Sequence, residues 1–160
     1  MIFSEDLLSL ARDVLDAARA KGLKIATAES CTGGLIAGLL TEIPGSSDVF
    51  ERGFVTYSNE AKEQMLGVPG ELIAEHGAVS TEVAGAMADG AIRNSAADIA
   101  VAVTGIAGPG GSGVKPAGLV YIAIAHGPIV AQEFRFGDIG RSKVRLATAK
   151  EALTLLVRHI

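Results

Sequence analysis

Four segments of the chain hold residue types that can do chemistry. The first is Thr27-Ala28-Glu29-Ser30-Cys31-Thr32-Gly33-Gly34, where an apolar stretch ends, glycines permit a tight turn and a helical pattern begins at Leu35. The N–H groups that open a helix lack intrahelical acceptors, so such a turn can take an anion or a developing oxyanion. Ser30 stands where a nucleophile at this kind of elbow would stand; the plainer alternative makes Ser30 or Thr32 a helix cap. Cys31 is a rival nucleophile, but with no partner visible it reads as a small buried thiol.

The second segment is Val55-Thr56-Tyr57-Ser58-Asn59-Glu60-Ala61-Lys62. Lys62 falls at the start of a helix that directly follows a strand, where the macrodipole disfavours a positive charge and burial lowers an amine's pKa further. A serine hydroxyl needs a base, and no histidine lies in a triad setting, so a neutral Lys62 is the candidate. Tyr57 could relay a proton or hold the lysine. The alternative for Lys62 is a long side chain snorkelling on a solvated helix face.

The third is Thr104-Gly105-Ile106-Ala107-Gly108-Pro109-Gly110-Gly111-Ser112-Gly113, which contains a literal G-x-G-x-x-G and has Glu133 further along the chain. A dinucleotide fingerprint must open a helix. Here Lys115-Pro116-Ala117-Gly118 leads into another strand pattern, so a nicotinamide-dinucleotide reductase is rejected, and no Gly-Lys-Ser/Thr makes it a Walker loop. What survives is a backbone-rich loop at a strand end, a usual place for ligands in α/β sheets. The fourth is Arg141 and Arg145, on one face of a helix and able to grip a phosphate or carboxylate; the alternative is a solvated helix start paired with Asp138. Arg52 is a weaker candidate of the same kind. His76, His126 and His159 stand apart without ligand spacing, so no metal site is expected.

These segments need a frame, and the composition points to a compact one. The 160 residues carry 14 Lys+Arg against 18 Asp+Glu, a net charge of −4, and 49% are hydrophobic. That balance excludes a disordered chain, and the lack of basic clusters argues against a nucleic-acid binder. The longest clean apolar run, Leu119–Ala125, is far too short to span a membrane, and no basic stretch precedes an apolar one at the start, so no secretory signal is expected. One cysteine suits a reducing compartment, so a cytoplasmic location is expected. The chain is also rich in alanine and glycine, which let backbones approach closely.

Periodicity supplies the elements. A helix over residues 5–21 presents Leu8, Ala11, Val14, Leu15 and Ala18 on one face, with Ser4 at its start and Gly22 as its stop. Strands are expected at Lys24–Ala28, Phe50–Tyr57 and Asp98–Thr104, and Leu119–Ala125 with Ile129–Phe136 reads as a hairpin around His126-Gly127-Pro128. Helices are expected from Leu35 to before Pro44-Gly45, from Ser58 or Asn59 through Leu66, over Pro69–His76, from Ser80 to about Asn94, and over Arg141–His159. In the last of these, Leu146, Ala149, Leu153 and Leu156 mark the face for burial. Strands alternating with helices and ending in a hairpin give an α/β fold: a three-layer α/β/α sandwich around a mixed sheet, one domain over residues 1–160.

Taken together, Thr27–Gly34, Gly53-Phe54-Val55-Thr56-Tyr57-Ser58-Asn59-Glu60-Ala61-Lys62, Thr104–Gly111 and Lys115-Pro116-Ala117-Gly118 resemble the CinA C-terminal domain family, in order and spacing, along nearly the whole chain. The resemblance implies a nicotinamide mononucleotide (NMN) deamidase, which hydrolyses the carboxamide of NMN to nicotinic acid mononucleotide and ammonia and needs no cofactor or metal. It makes Ser30 the nucleophile, Lys62 its base and Tyr57 their support. Thr32, Gly33, Thr104 and Gly105 would lie against the substrate, with Arg141 and Arg145 near its phosphate. The Gly110–Val114 stretch is shorter than the family loop, and Gly137-Asp138-Ile139-Gly140-Arg141 is two residues longer than the family's start to the last helix. Longer members carry a nucleotide-pyrophosphatase-like domain first; only the C-terminal part is resembled, so that activity is not expected. A homo-oligomer is expected by analogy. The alternative function is a nucleotide-binding or regulatory module that keeps the pocket without turnover.

Overall fold

The computed structural model describes residues 1–160. Its elements are α1 (Glu5–Ala20), β1 (Ile25–Glu29), α2 (Leu35–Thr41), β2 (Phe50–Val55), α3 (Asn59–Leu66), α4 (Gly70–His76), α5 (Thr81–Arg93), β3 (Ile99–Gly105), β4 (Leu119–Ala125), β5 (Ile129–Arg135) and α6 (Arg141–His159). The sheet runs β2-β1-β3-β4-β5. β1 is parallel to both β2 and β3, whereas β4 is antiparallel to β3 and β5, so the sheet is mixed as the hairpin requires.

The two faces of the sheet differ in side-chain size. Successive strand residues point to opposite faces. Ile25, Ile99, Val101, Val103, Val120, Ile122 and Ile124 join one core with the apolar stripes of α1, α2 and α6. Ala26, Ala28, Ala100, Ala102, Ala123 and Ala125 form the other, under Leu66 of α3, Ile73 of α4 and Val83, Ala84 and Met87 of α5. Alanine on that face lets the second helical layer sit close to the strands. Gly90 of α5 carries the same logic to the α3 boundary, where a Cβ would overlap the Leu66 carbonyl.

This winding sets the site. From β1 the chain turns into α2 on the branched face, while β3 is entered from α5 on the alanine face. The carboxyl ends of β1 and β3 therefore border the crevice where the connections change sides, the place where open α/β sheets bind ligands. Ser30 follows β1, Thr104 and Gly105 end β3, and Tyr57 lies just past β2.

Most expected elements form, with shifts at their ends. β2 stops at Val55 rather than Tyr57, β5 stops at Arg135, and a single 3-10 turn at Ser46–Asp48 follows α2. Ser58, not Asn59, caps α3, its Oγ accepting from the Ala61 N–H at 3.0 Å. Leu146 is a correction: it is 40% exposed. The buried face of α6 is carried by Val144, Thr148, Ala149, Ala152, Leu153, Leu155 and Leu156, so Leu146 flanks the stripe rather than filling it. No helix is long and apolar enough to cross a membrane.

Candidate active site

Lys62 is 1% exposed and ranks among the largest fully buried side chains of the molecule. Its Nζ lies 2.9 Å from Ser30 Oγ, 2.9 Å from the Thr56 carbonyl and 3.5 Å from the Tyr57 carbonyl. No carboxylate pairs with it. Burial pushes its pKa below the ordinary lysine value, since removal from water penalises the charged form; the neighbouring Cys31 works weakly the other way. A neutral amine has two N–H donors and one lone pair. Lys62 Nζ donates to Ser30 Oγ as well as to the two carbonyls; in the uncharged form the carbonyls can take both donors and leave the lone pair to accept from the Ser30 hydroxyl. Three acceptors surround the amine, so the contacts accommodate an ammonium as well as a neutral amine; it is burial without a carboxylate partner that favours the uncharged form.

The turn that presents Ser30 is held from within. The Glu29 carboxylate, fully buried, accepts from Thr32 Oγ1 at 2.6 Å, the Ile36 N–H at 2.9 Å and the Ala37 N–H at 3.0 Å. The Gly33 N–H donates to the Ser30 carbonyl and the Leu35 N–H to the Thr32 carbonyl, both at 3.1 Å. The opening of α2 is therefore closed to an outside anion: its own upstream carboxylate occupies it. This corrects the sequence expectation of a free helix end. The Cys31 N–H, directly after Ser30, makes no backbone hydrogen bond. The Cys31 thiol is buried and pushed up to about 12, so it is not a nucleophile in waiting.

A cavity of about 390 Å³ opens on this pair. Ser30, Cys31, Tyr57, Asn59 and Lys62 form one side; Ala78 and Val79, the glycine loop from Thr104 to Ser112, and Arg141 form the rest. None of the lining residues is an Asp or Glu, and Arg141 is a fixed positive charge among them. Arg141 donates to the Gly108 carbonyl at 2.8 Å and to Tyr57 Oη at 2.7 Å. The Tyr57 hydroxyl is thus turned to Arg141 rather than Lys62, and it is the Tyr57 backbone that reaches the lysine. Thr104 Oγ1 donates to the Ala78 carbonyl at 2.8 Å.

Of the residues marked in the sequence, Ser30, Lys62, Tyr57, Thr104, Gly105 and Arg141 meet around this cavity. Thr32, Gly33 and Arg145 do not line it. Thr32 is fully buried with its hydroxyl on Glu29. Arg145 donates to the carbonyls of Cys31 at 3.1 Å and Thr32 at 3.0 Å, a support beneath the Ser30 turn. Arg52 is paired with Glu51 at 2.8 Å on the surface. Two polar anchors were not marked: Glu29, for which an acid just before a glycine turn and a helix was the available signal, and Lys115, whose Nζ donates to carbonyls of the α4–α5 connection.

An α/β sandwich with a cavity at the strand ends, and a hydrogen-bonded serine–lysine pair inside it, is the class that fold and site define together. The chain belongs to the CinA C-terminal domain family, whose model matches residues 7–160. It is 55% identical over 155 residues to the nicotinamide-nucleotide amidohydrolase PncC of Escherichia coli, covering 94% of this chain and 93% of that protein. A CinA-like protein of Geobacter sulfurreducens is 54% identical over 144 residues, 89% of this chain and 35% of that protein. The chain likewise spans 39% of the length of a Caldicellulosiruptor bescii relative, at 52% identity. Among solved structures, the competence/damage inducible protein CihA of Agrobacterium tumefaciens superposes with a TM-score of 0.95 at 54% identity, covering 98% of this chain and 96% of that one.

Proposed function

We propose that this chain is a nicotinamide-nucleotide amidase that hydrolyses the carboxamide of NMN to nicotinic acid mononucleotide and ammonia through an ester on Ser30. The observation that carries the reading is the 2.9 Å contact between Ser30 Oγ and a buried Lys62 amine inside the cavity. The kinship with PncC supports the substrate. A cavity without carboxylates, holding Arg141, suits an anionic nucleotide, with the guanidinium offered to the phosphate.

Lys62 takes the Ser30 proton as Oγ bonds to the carboxamide carbon, whose oxygen becomes an oxyanion. The Cys31 N–H and N–H groups of the Gly105 loop receive that charge; one such donor is worth roughly 3 kcal/mol. Collapse breaks the C–N bond, and the Lys62 ammonium gives its proton to the departing nitrogen, which leaves as ammonia. Water then attacks the ester, losing a proton to Lys62, and Ser30 recovers a proton from Lys62 when the acid leaves.

Incubating the protein with NMN should release ammonia and nicotinic acid mononucleotide in equal amounts, and Ser30→Ala should lower the rate by roughly a thousandfold or more. Stoichiometric NMN binding with no ammonia from the wild type would replace this reading with a binding module. Full activity in a folded Ser30→Ala protein would remove Ser30 as nucleophile.

A further inference from the structure

The glycine loop leaves the sheet at Gly105 and returns at Leu119, and residues 109–114 within it are exposed. Little of it is packed. Ser112 and Lys115 pair through their backbones, N–H to carbonyl in both directions, at 2.8 Å and 3.0 Å. From this small turn the Lys115 side chain crosses to the connection between α4 and α5. Its Nζ donates to the His76 carbonyl at 3.0 Å and to the Val79 carbonyl. The contact is built into the backbone on both sides. Gly77 has φ +78°, in the region that favours glycine, and a Cβ there would come within 3.1 Å of the Lys115 Nζ. At Gly111 a Cβ would overlap the Lys115 carbonyl.

Both parts that Lys115 joins face the cavity: Ala78 and Val79 on the connection, Gly110 to Ser112 on the turn. The connection has a second tether, from Thr104 Oγ1 to the Ala78 carbonyl. The turn has only its own backbone pairing and, at its near end, Arg141 on Gly108. We propose that Lys115 is a positioning residue: its ammonium ties the glycine turn to the α4–α5 connection and fixes the cavity wall they share. This rests on the amidase reading for its consequence in catalysis, not for the tether itself. An ammonium suits the task because it is all donor and meets only carbonyls here. Lys115 bonds only backbone carbonyls of a wall that carries neither Ser30 nor Lys62, so substrate binding, rather than the chemical step, is the quantity it controls.

Lys115→Met should raise KM for NMN by roughly tenfold and leave kcat within about threefold, with Lys115→Arg restoring most of the loss because it keeps N–H donors. Hydrogen exchange measured without substrate should quicken at residues 76–80 and 108–115 and nowhere else. Thr104→Val should quicken only the first of these segments. Lys115→Leu gives the same readouts should the methionine variant not fold. Unchanged exchange at the glycine turn, or a fall in kcat with KM untouched, overturns the proposal. If the wild type releases no ammonia from NMN the amidase reading fails, while the exchange comparison still decides the tether.

Discussion

The two sides of the cavity are built on opposite principles. The Ser30–Lys62 side is part of the core: Ser30 is 8% exposed and follows β1 directly, and Lys62 is 1% exposed and reaches it from α3. Short bonds hold it, from Thr32 to Glu29 and from Lys62 to the Thr56 carbonyl. The glycine side is an exposed loop pinned at two points by long cationic side chains, Arg141 and Lys115, each donating to backbone carbonyls. Reaction geometry needs tolerances well below an ångström and sits where packing enforces them. Ligand entry needs backbone that can adjust, and lies where a few side-chain bonds do the holding.

The largest expected effect tests the packed side. Lys62→Met should lower turnover by roughly a thousandfold or more. Its melting temperature should stay within a few degrees of wild type, because methionine fills the same volume and needs no desolvated amine; a large drop would make Lys62 a structural residue. The same amine sets the pH dependence. Below its depressed pKa Lys62 is charged and cannot accept the Ser30 proton, so activity should fall on the acid side of that value and hold above it. Between that pKa and the ordinary lysine value the unfolded chain binds a proton that the folded chain does not. Stability therefore rises with pH across this window, and Lys62→Met should flatten that rise in denaturation measured against pH.

A smaller effect is expected on the pinned side. Arg141→Ala frees both Gly108 and Tyr57, and should raise KM by roughly tenfold with kcat changed only a few-fold. Equal losses in kcat and kcat/KM would place Arg141 in the chemical step and erase the contrast between the sides. Smaller still is Glu29→Gln, which sets an amide N–H₂ against one of the two N–H groups that the carboxylate now accepts. Thermal unfolding should show a loss of roughly 1–3 kcal/mol, with kcat falling only as far as the Ser30 turn loosens.

The sequence made the packed side legible and the pinned side much less so. Leu8, Val14 and Leu15 follow helical spacing, and the apolar run through Val101 and Val103 marks a central strand, because burial imposes a period on residue type. Ser30 and Lys62 stood out since each follows a strand and opens toward a helix. Tyr57 and Arg145 were harder. Which way an exposed phenol points, and whether a guanidinium meets a ligand or a carbonyl, depends on neighbours 84 and 113 residues away in the chain, Arg141 and Thr32. Glu29 was hidden for a related reason: a carboxylate that satisfies its own helix reads, in one dimension, like any surface acid.

Arg145 reaches back from α6 to tie down the carbonyls of Cys31 and Thr32, although more than a hundred residues separate them. A chain cut before Arg141 would lack these bonds together with the apolar face that α6 adds to the core. The last helix is in this way coupled to the turn that carries Ser30, so a loosening of α6 would be felt at the serine.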